Sequence, residues 1–211
     1  MINARTAAST NKYARKLGVD VSHWNGNVNW AKVKSDGVQF AIIRTSDSTG
    51  TMDRQWVNNV KGCAANKIPF GVYIYSRAKT KKKAAQEANL VLSRLREVTA
   101  RPTYPIYLDL EDPKDMAPLS NAKLATITAE FARVIKAAGY TPGVYSSLNW
   151  WNNKLTDPIF NQYPRWVAQW PISYKASSKC GYTKGAYKIW QFSDNGRVSG
   201  MSGAVDLNWM Y

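Results

Sequence analysis

The spacing of apolar residues along the chain switches between two periods: alternation of apolar and polar side chains marks strands, and a period near 3.6 marks helices. Gly18-Val-Asp-Val-Ser-His23 has the first, with Val19 and Val21 on one face and Asp20 and Ser22 on the other. Trp24-Asn-Gly26 breaks it as a turn, and residues 29–34 read as a short helical turn before Gly37. Residues 40–45 are almost continuously apolar, the pattern of a strand covered on both sides. Asp53 can cap a helix reaching about residue 66, with Trp56, Val60, Cys63 and Ala64 at helical spacing. Residues 69–75 are the next strand, with Tyr73 and Tyr75 on one face. Residues 80–98 are helical on the stripe Ala84, Ala88, Val91 and Leu95. A fourth strand covers 105–111. Ser120 then caps a helix with the stripe Leu124, Ile127, Phe131, Val134 and Ala138, which Gly139 ends. Residues 141–147 are a fifth strand and 148–155 a short helix.

Beyond residue 155 the rhythm changes. Residues 164–170, 187–192 and 204–208 read as strands with no helix-length apolar pattern between them. Repeated strand–helix units followed by bare strands predict an α/β fold, a single TIM-like parallel barrel of eight strands shortened at its end. The 211 residues fall below the roughly 250 typical of that fold, which suits the missing helices. The expected organisation is a basic N-terminal tail over 1–17 and one barrel domain over 18–211.

Candidate chemistry sits in Pro105-Ile-Tyr-Leu-Asp-Leu-Glu-Asp-Pro113. On a strand, residues i and i+2 share a face, so Asp109 and Glu111 point one way and Leu108 and Leu110 the other. The following Asp-Pro would end the strand, placing the pair at the C-terminal mouth, where such barrels carry their chemistry. Asp20 on the first strand and Asp206 on the eighth reach the same mouth, because those strands are neighbours in a closed barrel. Crowded, buried carboxyl groups raise one another's pKa, so one can stay protonated near neutral pH. Glycosidic cleavage needs such a set: an acid for the leaving oxygen and an ionised group for the oxocarbenium-like centre. Residues i and i+2 have Cα atoms roughly 6.5 Å apart, from a rise of about 3.3 Å per residue, which suits the short separation of a retaining enzyme. Surface acids are the plain alternative, and the apolar flanks argue against it. Trp24, Tyr73, Tyr75, Tyr145, Trp166, Trp170 and Trp190 lie on or just past strands; rings with a polar tip suit sugars, and about half are expected in the core.

Charge and composition narrow the partners. Twenty-nine basic against 14 acidic residues give a net charge of +15, which favours nucleic acid, an anionic membrane or an anionic cell wall. No recognition motif supports a nucleic acid partner, and no apolar run approaches the roughly 20 residues needed to span a bilayer. Lys79, Lys81, Lys82 and Lys83 form the densest basic cluster, read as a solvated helix start or a contact to wall polymers. The first 17 residues lack the apolar region of a classical signal peptide, so action outside a cell implies another route of release or a trimmed chain. Cys63 and Cys180 read as buried free thiols. His23, the only histidine, reads as a loop residue beside Trp24, and its isolation disfavours a Ser or Cys hydrolase and a zinc enzyme. No cofactor is expected; a carboxylate-only magnesium site at Asp109, Glu111 and Asp112 is the metal alternative. The chain is expected to be a monomer.

Seven segments in order, Asp20-Val-Ser-His-Trp-Asn-Gly26, Gly71-Val-Tyr-Ile-Tyr75, Tyr107-Leu-Asp-Leu-Glu111, Gly143-Val-Tyr145, Trp166-Val-Ala-Gln-Trp170, Trp190-Gln-Phe192 and Val205-Asp-Leu-Asn208, resemble the glycoside hydrolase family 25 lysozymes, which are muramidases. The resemblance covers residues 18 to about 208. It implies a (β/α)5(β)3 barrel that hydrolyses the β-1,4 bond between N-acetylmuramic acid and N-acetylglucosamine in bacterial peptidoglycan. It also implies Glu111 as catalytic acid/base, with Asp109 either stabilising the substrate's 2-acetamido group in a neighbouring-group route or acting as nucleophile. Asp20 and Asp206 would complete the catalytic set, and Tyr73, Tyr75, Tyr145, Trp166, Gln191 and Trp24 would contact substrate. Ile74 stands where the family often has His, so that polar contact is absent. The family's frequent wall-binding repeats are not found in these residues, and the positive charge is expected to substitute for them. A non-catalytic barrel that binds wall glycan is the alternative.

Overall fold

The predicted strands and helices recur in the computed structural model, which describes residues 1–9, 15–173, 175 and 178–211. In chain order they are β1 (Ile2–Asn3), α1 (Ala4–Ser9), β2 (Lys16–Val21), α2 (Trp30–Ser35), β3 (Phe40–Asp47), α3 (Trp56–Ala65), β4 (Phe70–Tyr75) and α4 (Lys81–Arg96). They continue as β5 (Ile106–Asp109), α5 (Asn121–Ala137), β6 (Pro142–Ser147), α6 (Leu148–Asn153), β7 (Arg165–Ala168), β8 (Ile189–Arg197) and β9 (Val205–Met210). Strands β2 to β8 pair in sequence order, each parallel to the next. Strand β9 then bonds to both β8 and β2 and closes the ring.

Both of those closing pairs are antiparallel, which corrects the expectation of a wholly parallel barrel. The cause is the connection. A parallel return needs a crossover of a dozen or more residues, and β8 and β9 are joined by residues 198–204 alone. A second correction concerns β5, which ends at Asp109, so Glu111 lies just beyond the strand.

Side chains inside the ring form their own cluster, built on Phe40, Ile42, Tyr107, Tyr145 and Trp166. Glycines on neighbouring strands make room for the largest rings: a Cβ at Gly18 would lie 2.3 Å from Phe40, and one at Gly143 would lie 2.5 Å from Tyr107. A larger core fills the space between the strands and the surrounding helices. Thr80 and Ser120 cap α4 and α5 by accepting the N–H of Lys83 and Lys123, and the predicted stripes face inward, except that Val134 is half-buried and Ala138, the C-cap of α5, is exposed. Helix α3 starts at Trp56 rather than Asp53, whose carboxylate is taken up by Arg44 and His23.

Parts of the expected basic tail carry structure. Strand β1 pairs with the far end of β8, Ala4 and Ala7 are buried, and Lys16 and Leu17 already belong to β2. The Arg15 guanidinium lies 4.6 Å from the Trp209 ring centre. Residues 10–14 are outside the described part. Cys63 and Cys180 are both buried free thiols. Among the described residues, no helix is long and apolar enough to cross a membrane.

Candidate active site

At the C-terminal ends of the parallel strands the barrel opens into a cavity of about 210 Å³. Asp20, Asp109, Glu111 and Asp206 all line it, brought there by β2, the end of β5 and β9. Tyr73, Tyr145, Trp166 and Gln191 supply further walls.

Hydrogen bonds link one side of this cavity into a single network. Asp20 Oδ2 accepts from Asn208 Nδ2 at 2.7 Å and Gln191 Nε2 at 3.0 Å. The two amides are oriented in turn, since Trp166 Nε1 donates to Asn208 Oδ1 at 2.8 Å, and Gln191 Oε1 accepts from the Tyr145 hydroxyl and Trp170 Nε1. Asp206 is also hydrogen-bonded to Asp20. Burial, the Asp20 charge and this bond push the Asp206 carboxyl up to about 9, so Asp206 keeps its proton and donates it to Asp20. Burial raises Asp20 too, against the bonds from Asn208 and Gln191.

Asp109 is buried, and its Oδ1 has no hydrogen-bond partner among the described residues. Burial first, then the charges of Glu111 and Asp20, hold its carboxyl well above the ordinary range, with Arg44 opposing. Glu111 is on the rim, where water reaches it, yet the surrounding walls strip much of its hydration. That burial and the Asp20 charge raise it to about 7, while a hydrogen bond from Tyr145 works the other way. Tyr145 has one proton for two acceptors. Gln191 already receives the Trp170 N–H, so the phenol can turn to Glu111, the stronger acceptor once ionised.

The turn after Glu111 is held from outside the cavity. Leu110 donates its N–H to the Tyr145 carbonyl at 3.0 Å and buries its side chain. Asp112 Oδ2 accepts from Arg77 Nε at 2.9 Å and the Tyr75 hydroxyl at 3.2 Å, and Oδ1 accepts the N–H groups of Lys114 and Asp115. Burial alone would raise the Asp112 pKa; these bonds outweigh it and the net shift is downward. Arg77 is itself placed by α4, where Glu87 accepts its backbone N–H at 3.0 Å and the Ser76 hydroxyl at 2.6 Å. Burial pushes Glu87 up to about 7.

The family described as Glycosyl hydrolases family 25 matches residues 19–201. The chain belongs to that family. It is 31% identical over 197 residues to Lysozyme M1 of Streptomyces globisporus, a match covering 90% of this chain and 66% of that protein. The modular autolysin LytC from Streptococcus pneumoniae, solved in complex with a synthetic peptidoglycan ligand, superposes with a TM-score of 0.82 at 27% identity, over 94% of this chain and 47% of that one. A bacterial lysozyme from Streptomyces coelicolor superposes with a TM-score of 0.77 at 28% identity, over 94% and 93%. The chain thus spans less than two thirds of Lysozyme M1 and less than half of LytC.

In this family 25 chain the remaining expected contacts divide. Trp166 is 1% exposed and forms the cavity floor, so a sugar cannot stack on it. Tyr75 does not line the cavity and is committed to Asp112, and Asp112 is in turn committed to Arg77, which removes it from the magnesium alternative. Trp24 is 79% exposed outside this cavity, its ring centre 4.4 Å from that of His23. Two cavity residues stood outside the expected site. Trp170, one of the aromatics just past a strand, lines the cavity with half of its surface exposed. Asp194 lies past the predicted end of its strand; β8 continues to Arg197 through register shifts that break the alternation by which such a residue is recognised.

Proposed function

We propose that this chain is a peptidoglycan hydrolase, a muramidase that cleaves the β-1,4 bond between N-acetylmuramic acid and N-acetylglucosamine. The observation that carries this reading is the unlike setting of two carboxyls in one cavity: Glu111 on a solvated rim with a pKa near 7, and Asp109 below it with an unpartnered oxygen. Glu111 protonates the glycosidic oxygen as the C1–O bond breaks. The substrate's own 2-acetamido oxygen attacks C1, and its N–H is held by Asp109 Oδ1. That N–H favours ionised Asp109, which leaves the proton of the coupled pair on Glu111, where it is needed. Water then adds at C1 as Glu111, now a carboxylate, takes its proton. Asp20 supplies the negative charge that keeps Glu111 protonated and faces the developing positive centre, and Asp206 holds Asp20 in place through the shared proton. The site of action is the bacterial cell wall or the outside of a cell, and the working form is a monomer with no nucleic acid partner.

Clearing of bacterial walls by the purified protein tests this, with borohydride reduction of the products. New reducing ends on muramic acid are expected. Ends on glucosamine would overturn the bond assignment, and binding without clearing would favour a glycan-binding barrel.

A further inference from the structure

A second pocket of about 230 Å³, with His23, Arg44, Met52, Asp53 and Arg54 among its walls, opens beside the carboxylate cavity. Arg44 follows Phe40 and Ile42 on the inward face of β3 and is the register neighbour of Tyr73, which walls the first cavity. The two pockets therefore adjoin at one barrel mouth. The Arg44 charge acts on Asp109 from there, yet the side chain does not pair with the acids of the cavity. Its Nε donates to Asp53 Oδ2 at 3.0 Å, and its Nη2 lies 2.7 Å from His23 Nδ1.

Those contacts fix what the pocket offers. Asp53 is buried, and its oxygens also accept the backbone N–H groups of His23 and Gln55. His23 Nδ1 lies between a donor and an acceptor, 2.7 Å from Arg44 Nη2 and 3.0 Å from Asp53 Oδ2. A guanidinium nitrogen can only donate, so at the shorter contact Nδ1 accepts, and the ring proton then sits on Nε2. Nε2–H of His23 and Nη1 of Arg44 are left as donors without a partner among the described residues. Asp47, the other acid in the wall, turns its Oδ1 to the N–H groups of Thr49 and Thr51. Beside the donors lie apolar surfaces: Met52 in the wall, 37% exposed, and the Trp24 indole, tilted 36° against the His23 ring.

We propose that this pocket is a subsite for the carboxyl-bearing lactyl arm of a muramic acid unit. This rests on the glycan-hydrolase reading above. The arm carries one carboxyl group, free or amide-linked, and one methyl group. Its oxygens match the Arg44 and His23 donors, its methyl the Met52 and Trp24 surfaces, and N-acetylglucosamine has only a hydroxyl at that position. The pocket thereby tells the two sugars of the polymer apart.

His23 is the chain's only histidine, so its imidazole proton signals need no assignment. The Glu111→Gln protein, which binds without turnover, is titrated with a tetrasaccharide of alternating N-acetylglucosamine and N-acetylmuramic acid, and separately with chitotetraose. The His23 signals are expected to move with the first glycan only. Arg44→Lys, which keeps the charge but loses the fork, is expected to weaken the muramic glycan at least tenfold and chitotetraose less than threefold. Unmoved His23 signals at saturating muramic glycan, or equal movement with both glycans, overturn the subsite. Discrimination in a protein that clears no walls would sink the hydrolase reading and keep this one; clearing with a silent His23 would do the reverse.

Discussion

Asp20 and Asp206 stand directly opposite each other across the antiparallel ladder of β2 and β9, and one carboxyl proton lies between them. Asp206 retains that proton to about pH 9 in the folded chain, whereas an unfolded chain releases it near the ordinary 3.8. Between those values the folded state binds more protons than the unfolded one, so this group's contribution to stability falls as pH rises. Asp206→Asn keeps a donor toward Asp20 without the proton. The variant should gain about 2–6 °C in Tm at pH 8 and little at about pH 3, where the unfolded chain also holds most of this proton, the scale being about 2–4 °C per kcal/mol for a chain of this size. Thermal unfolding at the two pH values checks this, and an equal gain at both would refute the shared proton.

Glu111→Gln should lower turnover by about 10²–10⁴-fold, the usual range for loss of a general acid, while glycan binding persists. In the wild-type protein, kcat/KM should fall above about pH 7 as Glu111 loses its proton. Because the Asp20 charge helps to hold Glu111 there, Asp20→Asn should move that alkaline limb to lower pH. A limb that stays in place would separate the two groups.

Asp109→Asn should be nearly as severe by a different route. The amide keeps the shape but carries no charge to favour attack by the acetamido oxygen, so kcat should fall about 10²-fold or more with KM little changed. Steady-state kinetics on a soluble muramic glycan measure both.

Tyr75 serves Asp112 rather than the cavity, which changes what its removal should do. Tyr75→Phe and Asp112→Asn loosen the turn that carries Glu111, so kcat should drop several-fold, more for Asp112→Asn because it also weakens the Arg77 contact. KM should stay within about twofold, as for loss of an interaction outside the binding surface. A large rise in KM with unchanged kcat would restore Tyr75 as a substrate contact.

Gly143→Ala should destabilise the barrel by about 1–3 kcal/mol, because the new Cβ would meet the Tyr107 ring in a space without slack. Urea unfolding gives the value.

The strands and helices between residues 18 and 155 were legible because each repeats one spacing, and Asp109 and Glu111 kept their common side even though the strand stops between them. The direction of β9 was not legible in alternation, which is the same read either way; only the shortness of residues 198–204 decides it. Asp194 was hidden by the irregular register of β8, and the true office of Tyr75 by the fact that a strand face says where a side chain starts and not where its hydroxyl ends. His23, isolated in sequence, acquires Arg44 and Asp53 only through the fold.

Closure by β9 also sets an order in time. A ribosome delivers β2 early and residues 205–210 late, and until those emerge the nascent chain has open edges on both β2 and β8, with neither Asp206 nor Asn208 beside Asp20. The long wait between the partners of the β2–β9 ladder makes this a slow, nonlocal last step. A half-made chain of this kind carries the acids but not their arrangement, so competence for chemistry arrives together with the sealed ring.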